Sequence, residues 1–222
     1  MTIAMRTIQK AKELTMSLVF YYAPMSTATL TDLVLEELGV PCQRVKLNLK
    51  GGDTKKPDFL KLNPNGKVPL IVHDDIPIFE SAAITMYLGE QFGVEKKLYP
   101  APGPKRGEAM KWIVWTNVTL GDSVYTWCRN TMDWTPADHR NALAGQAAQK
   151  EIGNCLSILN QELAGKKYLL GDAYTLADTH VNSYLDWLRY MKIDFSSFNY
   201  LSAWSKRCSD RPAYGKVMSA ER

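Results

Sequence analysis

The spacing of apolar residues predicts strands and a helix at the start of the chain. Leu18–Tyr22 is a short apolar and aromatic run, which predicts a buried strand. Apolar residues at helical intervals over residues 29–38, followed by the stop signal Gly39, predict a helix. Alternation over residues 43–48 predicts a second strand.

The next segment predicts a hairpin that leads into another helix. Residues 58–62 predict a helical turn, and the apolar run 69–73 predicts a strand entered by a proline. After a two-residue turn, residues 76–79 return as a strand, and Glu80-Ser81 opens an amphipathic helix.

The pattern becomes wholly helical in the second half of the chain. Residues 105–125 and 138–163 show no strand alternation. Thr175-x-x-Asp178 is typical of a helix-capping box, to which we assign a role in folding. The proline- and glycine-rich stretch before residue 105 predicts a linker.

Four segments follow from these patterns. We expect an N-terminal extension over residues 1–16, an α/β domain over 17–97, a linker over 98–104 and an all-helical domain over 105–222. The extension has a basic excess but no secretory apolar core, so we interpret it as a surface appendage.

Composition narrows the classes of partner. The net charge is +4, with 27 basic and 23 acidic residues scattered along 222 positions, so nothing favours a nucleic acid as partner. No apolar run approaches the ~20 residues that span a bilayer, which argues against a membrane partner. The 4 cysteines form no CxxC pair, and they indicate free thiols in a reducing, cytoplasmic location. The 3 histidines share no ligand spacing, so we expect no metal and assign them to the surface or to packing.

The hairpin carries the strongest functional signal. An X-Pro bond can be cis at small cost, and a cis Val68-Pro69 would turn the Val68 backbone outward to pair with an extended peptide. A helix start such as that at Glu80-Ser81 offers unpaired N–H groups that favour a carboxylate. A peptide-pairing edge and a carboxylate socket are therefore predicted side by side.

Four motifs in order resemble the cytosolic glutathione transferase superfamily, from residue 17 onward. They are Pro24-Met25-Ser26-Thr27, Asn63-Pro64-x-Gly66-Lys67-Val68-Pro69, Phe79-Glu80-Ser81-x-Ala83-Ile84 and Gly171-Asp172-x-x-Thr175-x-Ala177-Asp178. The resemblance implies a thioredoxin-like α/β domain followed by an all-α domain. It also implies an enzyme that uses glutathione as co-substrate.

The loop after the first strand is similar to that of phi-class transferases, in which a serine hydroxyl donates a hydrogen bond to the thiolate of glutathione. Ser26 is then the catalytic candidate. A free thiol has a pKa of about 8.5, and a hydroxyl that donates to sulfur favours the thiolate. Thr27 is the alternative if the loop register shifts by one, and Tyr21 and Tyr22 are rivals because other classes use a tyrosine there. The loop has no cysteine, which favours attack by the sulfur of glutathione itself.

The resemblance also implies the glutathione contacts. Glu80 pairs with the γ-glutamyl ammonium, Ser81 holds its carboxylate, and the backbone at Val68, before Pro69, pairs with the cysteinyl unit. The glycyl carboxylate requires a cation, for which Lys55 and Lys67 are the two candidates. Lys55 matches the lysine of the family, Thr54 stands where phi enzymes have histidine, and Lys67 replaces a frequent glutamine.

The resemblance further implies a homodimer that acts in detoxification on a small apolar, aromatic electrophile. We expect the pocket for it among five aromatic residues after the linker, of which two contact substrate: Trp112, Trp115, Tyr125, Trp127 and Trp134. Two alternatives remain open. One is glutathione-dependent β-aryl ether cleavage or dehalogenation at the same site, and the other is a non-catalytic interaction module with the same fold.

Overall fold

The computed structural model describes residues 17–220. The predicted extension over residues 1–16 lies outside the described residues. In chain order the first unit contains β1 (Leu18–Tyr22), α1 (Ala28–Leu38), β2 (Gln43–Lys46), a 3₁₀ turn (Asp53–Lys55), α2 (Pro57–Leu62), β3 (Leu70–His73), β4 (Ile76–Phe79) and α3 (Ser81–Leu88), which ends in a π-helical turn (Gly89–Gly93).

The second unit is helical throughout its regular elements. It contains α4 (Pro104–Trp115), a π-helical turn (Thr116–Leu120), α5 (Gly121–Thr131), a 3₁₀ turn (Ala137–His139), α6 (Ala142–Glu162), α7 (Leu176–Tyr190), α8 (Asn199–Ser209) and α9 (Pro212–Ala220). The predicted α/β domain followed by an all-α domain is thus confirmed.

The four strands form one mixed sheet in the order β2-β1-β3-β4. β1 runs parallel to β2 and antiparallel to β3, and β3 runs antiparallel to β4. The predicted second strand ends at Lys46 instead of residue 48. The chain leaves the sheet there because the Asn48 N–H donates to the Asp53 carboxylate over 2.7 Å, which closes a turn.

Helix α1 packs with its predicted apolar stripe against the sheet and against α3. Leu30, Val34 and Leu38 are almost fully buried, as their spacing requires. Gly39 adopts the left-handed conformation that ends the helix.

Helix α7 lies at the centre of the second unit. Five of its apolar residues have no exposed surface: Leu176, Ala177, Val181, Leu185 and Leu188. The buried Asp178 carboxylate accepts the Thr175 N–H at the helix start and the Trp204 indole N–H, at 2.9 and 2.8 Å. The capping box therefore has the structural role that the sequence predicts, and it also fastens α8 to α7.

The two units are joined by packing and by one bidentate ion pair. α1 contacts both α7 and α9. The Arg211 guanidinium donates to both Glu37 carboxylate oxygens at 2.6 and 2.5 Å, and it lies 3.8 Å from the centroid of the Tyr174 ring. Within residues 17–220, no helix is both long and apolar enough to cross a bilayer.

Candidate functional site

The sheet brings the predicted site segments to one of its ends. Tyr22 pairs with Lys46 in the parallel ladder, so the loops after β1 and β2 leave from the same end. Tyr21 pairs with Leu70, and Leu70 pairs with Phe79. The loop before β3 and the helix start after β4 therefore meet there as well, and all four predicted segments converge.

Ser26 lies in the loop between β1 and α1 and is 9% exposed. Its Oγ donates to the Ala23 carbonyl over 2.6 Å and accepts the Ala28 N–H over 3.1 Å. The hydroxyl closes the loop and receives one of the unpaired N–H groups at the start of α1. The Ala28 N–H also places the positive end of the helix on this oxygen.

Thr27, the alternative to Ser26, is exposed and points across to the hairpin loop. Its Oγ1 donates to the Val68 carbonyl over 3.1 Å. The two candidate donors therefore differ in what they hold. Ser26 stabilises its own loop, whereas Thr27 fixes that loop against the predicted peptide-pairing edge.

The Val68–Pro69 peptide bond is cis, and both residues are buried at the entrance to β3. The loop before them is shaped by Asn63, whose side chain donates to the Lys67 carbonyl over 2.7 Å. The Val68 carbonyl has two lone pairs and Thr27 occupies one of them, so a second donor can still bind.

Gly66 is needed in this loop for two reasons. Its φ is +59°, in the left-handed region. A Cβ there would also lie 2.8 Å from the Thr54 carbonyl and from Lys55 Nζ, too close for either atom to stay in place. A side chain at residue 66 would therefore separate the two loops.

The two predicted cations, Lys55 and Lys67, lie on either side of the close approach between the 3₁₀ turn and Gly66. Thr54 is buried in the 3₁₀ turn, while Lys55 is exposed and its Nζ donates to the Gly66 carbonyl over 3.2 Å. Lys67 is also exposed. Among the described residues, neither lysine is within salt-bridge distance of a carboxylate. Both ammonium groups can thus take an external anion.

Glu80 and Ser81 form the start of α3. Glu80 is exposed and has a φ of 71°, which is uncommon for a residue with a side chain. Its carbonyl accepts the Ile84 N–H over 2.9 Å and so opens the helix. No cation of residues 17–220 pairs with the Glu80 carboxylate. Ser81 is 8% exposed, and its Oγ accepts from the Asn117 amide over 2.9 Å.

The sequence reasoning missed the residues behind Ser81. The Asn117 Oδ1 lies 2.7 Å from His180 Nε2, and His180 Nδ1 lies 2.9 Å from Thr85 Oγ1. His180 has no exposed surface, and burial lowers its pKa from 6.5 to about 3, which keeps the imidazole neutral. A packing role for His180 was predicted. Its link to Ser81 was not, because Asn117 lies in a π-helical turn that carries no sequence signal.

The two tyrosine rivals lie in the sheet. Tyr21 packs edge-on against Phe59, and Tyr22 stacks on Phe20 at 5.4 Å between ring centroids. Both are half-buried. Their rings therefore contribute to the core.

A small apolar cleft lies beside Met25, the neighbour of Ser26. It is formed between α1 and α7 and is closed by Met218 of α9, and its aromatic wall consists of Trp187 and Tyr190. None of the five aromatic residues predicted for the electrophile lines this cleft. Trp112 is 4% exposed, while Tyr125 and Trp134 are 64% and 66% exposed.

Two family models match the chain. The glutathione S-transferase N-terminal domain matches residues 16–90, and the glutathione S-transferase C-terminal domain matches residues 125–212. Together they cover well over half of the sequence. The chain belongs to the glutathione S-transferase family.

Individual relatives agree with this assignment. The chain is 32% identical to the glutathione S-transferase GstB of Escherichia coli K12 over 188 residues, which are 84% of this chain and 89% of the relative. It is 30% identical to a glutathione S-transferase of Hyoscyamus muticus over 190 residues, 83% and 89% of the two chains. The structure of a sphingomonad glutathione S-transferase complexed with glutathione has a TM-score of 0.79 at 27% identity, over 91% of this chain and 98% of the other.

The predicted glutathione transferase is thus confirmed as an enzyme of this family. The comparisons do not test the serine-type loop or the individual contact residues, which stay predictions. A larger hollow among Arg189, Lys192 and Phe195, about 420 Å³, lies at the C-terminal end of α7 and contains none of the predicted site residues.

Proposed function

We propose that the transferase binds glutathione at the converging loops and activates its thiol with Ser26. The observation that carries this proposal is the register of the hairpin, which sets Val68-Pro69 opposite Glu80-Ser81, with Leu70 paired to Phe79 between them. The extended cysteinyl unit pairs with the Val68 backbone. The sulfur then faces the start of α1, where Ser26 and Thr27 lie.

Ser26 stabilises the thiolate by rotating its hydroxyl hydrogen from the Ala23 carbonyl toward the sulfur. Only the O–H rotates, and Oγ keeps the Ala28 N–H bond that draws electron density from it. A hydrogen bond to a charged acceptor contributes about 1.5–3 kcal/mol, which exceeds the value of a bond to a neutral carbonyl. The exchange therefore favours the thiolate.

The charges of the site match those of glutathione. The exposed Glu80 carboxylate takes the γ-glutamyl ammonium, and the Ser81 hydroxyl and N–H take the adjacent carboxylate. At the other end, Lys55 and Lys67 take the glycyl carboxylate. Thr54 is buried and shapes the turn that presents Lys55.

The cleft beside Met25 suits a small apolar, aromatic electrophile. Its wall of Trp187 and Tyr190 offers flat apolar surface next to the position proposed for the sulfur. An aryl ring stacked there presents its reactive carbon toward the thiolate.

We further propose a homodimer in which the α/β domain of one subunit meets the helical domain of the other. Each domain exposes apolar side chains. Ile76 is 63% exposed on the α/β domain, and Val118 and Tyr125 are 66% and 64% exposed on the helical domain. A two-fold contact buries both sets.

A role in detoxification in the cytoplasm fits the cysteines. Cys128, Cys155 and Cys208 are buried free thiols, and burial raises the pKa of each. Such thiols persist in a reducing compartment. Fractionation that finds the native protein in an oxidising compartment would contradict this location.

A crystal structure with glutathione tests the site as a whole. We expect the sulfur within about 3.5 Å of Ser26 Oγ, the γ-glutamyl group at Glu80-Ser81 and the glycyl carboxylate at Lys55 or Lys67. A sulfur bonded to Thr27 or Tyr22 instead would overturn the assignment of the donor. Binding elsewhere would overturn the site.

A further inference from the structure

Behind the proposed γ-glutamyl socket lies a hydrogen-bond chain that crosses from one domain to the other. It runs from Thr85 on α3 to His180 on α7, on to Asn117 between α4 and α5, and back to Ser81 at the start of α3. The distances are 2.9, 2.7 and 2.9 Å. Thr85 and His180 have no exposed surface, Ser81 has 8% and Asn117 is half-buried, so bulk water has little access to these bonds.

Each link in this chain fixes the direction of the next. The Asn117 amide nitrogen donates to Ser81 Oγ, so its oxygen faces His180 and must accept. His180 Nε2 therefore carries the hydrogen, and Nδ1 accepts from the Thr85 hydroxyl. A neutral imidazole has one donor and one acceptor, which this arrangement uses completely.

The last of these hydrogen bonds, from Asn117 to Ser81, determines the direction of the Ser81 hydroxyl hydrogen. Because Ser81 Oγ accepts from Asn117, its own O–H cannot bond to that amide nitrogen and is directed to another acceptor. The other polar group beside Ser81 is the phenol of Tyr184, whose ring stacks on His180 at 6.1 Å between centroids.

We propose that Asn117 and His180 are positioning residues that orient the Ser81 hydroxyl as a donor to the γ-glutamyl carboxylate of glutathione. They touch no substrate themselves. They make the helical domain a determinant of how tightly the α/β domain holds the co-substrate. This inference rests on the proposed role of Ser81 in glutathione binding.

The decisive variant is Asn117→Asp, which keeps the shape of the side chain and reverses its polarity. A carboxylate only accepts, so the Ser81 hydrogen turns inward to residue 117, while the His180 N–H still has its acceptor. The socket then presents an oxygen lone pair to the glutathione carboxylate. A lost charge-assisted hydrogen bond predicts an increase of about ten-fold or more in the Kd for glutathione.

A ligand that lacks the carboxylate separates positioning from folding. γ-Aminobutyryl-cysteinyl-glycine keeps the ammonium, the thiol and the glycyl end of glutathione but has no γ-glutamyl carboxylate. We expect its Kd to change less than about two-fold in Asn117→Asp. The Kd ratio, defined as the Kd for this analogue divided by the Kd for glutathione, should therefore fall toward one in the variant. The kcat at saturating glutathione should stay within about two-fold, because the carboxylate is held equally in the ground and transition states.

Two control variants address charge and the neighbouring phenol. Asn182→Asp places a carboxylate at a buried asparagine of α7 that bonds Ser205 and Ser209, away from Ser81. Tyr184→Phe removes the other polar neighbour of Ser81. Both should keep the Kd ratio of the native protein within about two-fold. A loss of the ratio in Tyr184→Phe would assign the orientation of Ser81 to the phenol and overturn the proposal.

If Asn117→Asp does not fold, as judged by its thermal transition, His180→Phe tests the same chain. It leaves the Asn117 oxygen without its donor at similar side-chain volume, and a three- to ten-fold loss confined to glutathione is expected. An equal loss for both ligands, or no loss for either, would overturn the proposal.

Ser81→Ala distinguishes a failure of the positioning proposal from a failure of the proposed glutathione site. If Ser81→Ala leaves glutathione binding unchanged, the γ-glutamyl socket itself is misplaced.

Discussion

Thr27 Oγ1 donates to the Val68 carbonyl over 3.1 Å and thereby holds the loop after β1 against the entrance to β3. One end of this contact is a rival for the thiolate, and the other is the edge proposed to pair with the cysteinyl unit. In the proposed site, this single hydrogen bond links the binding of glutathione to the placement of its sulfur.

Ser26→Ala and Thr27→Val separate these two roles. Ser26→Ala should lower kcat by about one to two decades, because a hydrogen bond to charged sulfur is lost, and it should raise the pH midpoint for thiolate formation. Thr27→Val should keep kcat within about two-fold and raise the KM for glutathione. Steady-state kinetics across pH checks both, and the opposite pattern would move the donor to Thr27.

Glu80→Gln should raise the KM for glutathione by about three- to ten-fold at unchanged kcat, since the ammonium is held alike in the ground and transition states. Glu95→Gln is the matched control, because Glu95 is another exposed glutamate of the first unit. Equal KM values in the two variants would remove Glu80 from the site.

Lys55→Met should raise the KM for glutathione, and the increase should shrink at high salt because the contact with the glycyl carboxylate is partly exposed. Lys67→Met tests the second cation, and Lys50→Met, in the same exposed loop, is the control. If neither Lys55→Met nor Lys67→Met differs from Lys50→Met, the glycyl end is held elsewhere.

The buried His180 predicts a loss of stability in acid. Its pKa is about 3 in the folded protein against an ordinary value of 6.5, so the unfolded chain binds the extra proton between these limits. The free energy of unfolding should fall by about 1.4 kcal/mol per pH unit as the pH drops below 6.5, and His180 contributes nothing to this slope above pH 7.

The comparison with His180→Phe isolates this effect, because other buried groups such as Asp178 and Asp186 are common to both proteins. Denaturant unfolding at pH 7, 6 and 5 should show a shallower pH dependence in the variant. Parallel curves would contradict the lowered pKa, because they would mean that His180 takes up its proton over the same pH range in the folded and unfolded protein.

Light scattering should give a mass of about twice the 25.0 kDa of one chain at micromolar concentration. Val118→Glu should shift it toward the monomer, whereas Leu143→Glu, at an equally exposed apolar position of α6, should not. A monomeric native protein would contradict the proposed interface.

Local patterns were enough to predict most elements of the fold. The apolar run around Phe20 predicted β1 and the helical stripe around Val34 predicted α1, because each element buries apolar side chains in the core. Boundaries were less accurate where a side chain competes for the backbone. Asp53 ends β2 early, and Asn141 caps α6 at Ala142, four residues after the predicted start.

The candidate site was predictable only where its residues lie within one short segment. Val68-Pro69 and Glu80-Ser81 are close in sequence, and turn and helix-start signals mark both. Asn117 and His180 are separated by 63 positions, and neither belongs to a local motif. Their contact exists only because α7 packs beside the π-helical turn, which no local pattern could show. The position of Trp187 and Tyr190 in the wall of the cleft likewise depends on how α7 packs against α1.

The ion pair between Glu37 and Arg211 has a consequence for synthesis on the ribosome. Helix α1 emerges well before its partners on α7 and α9 and at Arg211, which lie more than 130 residues later in the chain. A nascent chain that stops short of Arg211 leaves Glu37 of α1 without its ion-pair partner and the apolar face toward α7 uncovered. Domains fold largely as they are made, at about 5–20 residues per second. The α/β half of the enzyme must therefore wait some ten seconds or more for its final packing, in the interval when chaperones have access to it.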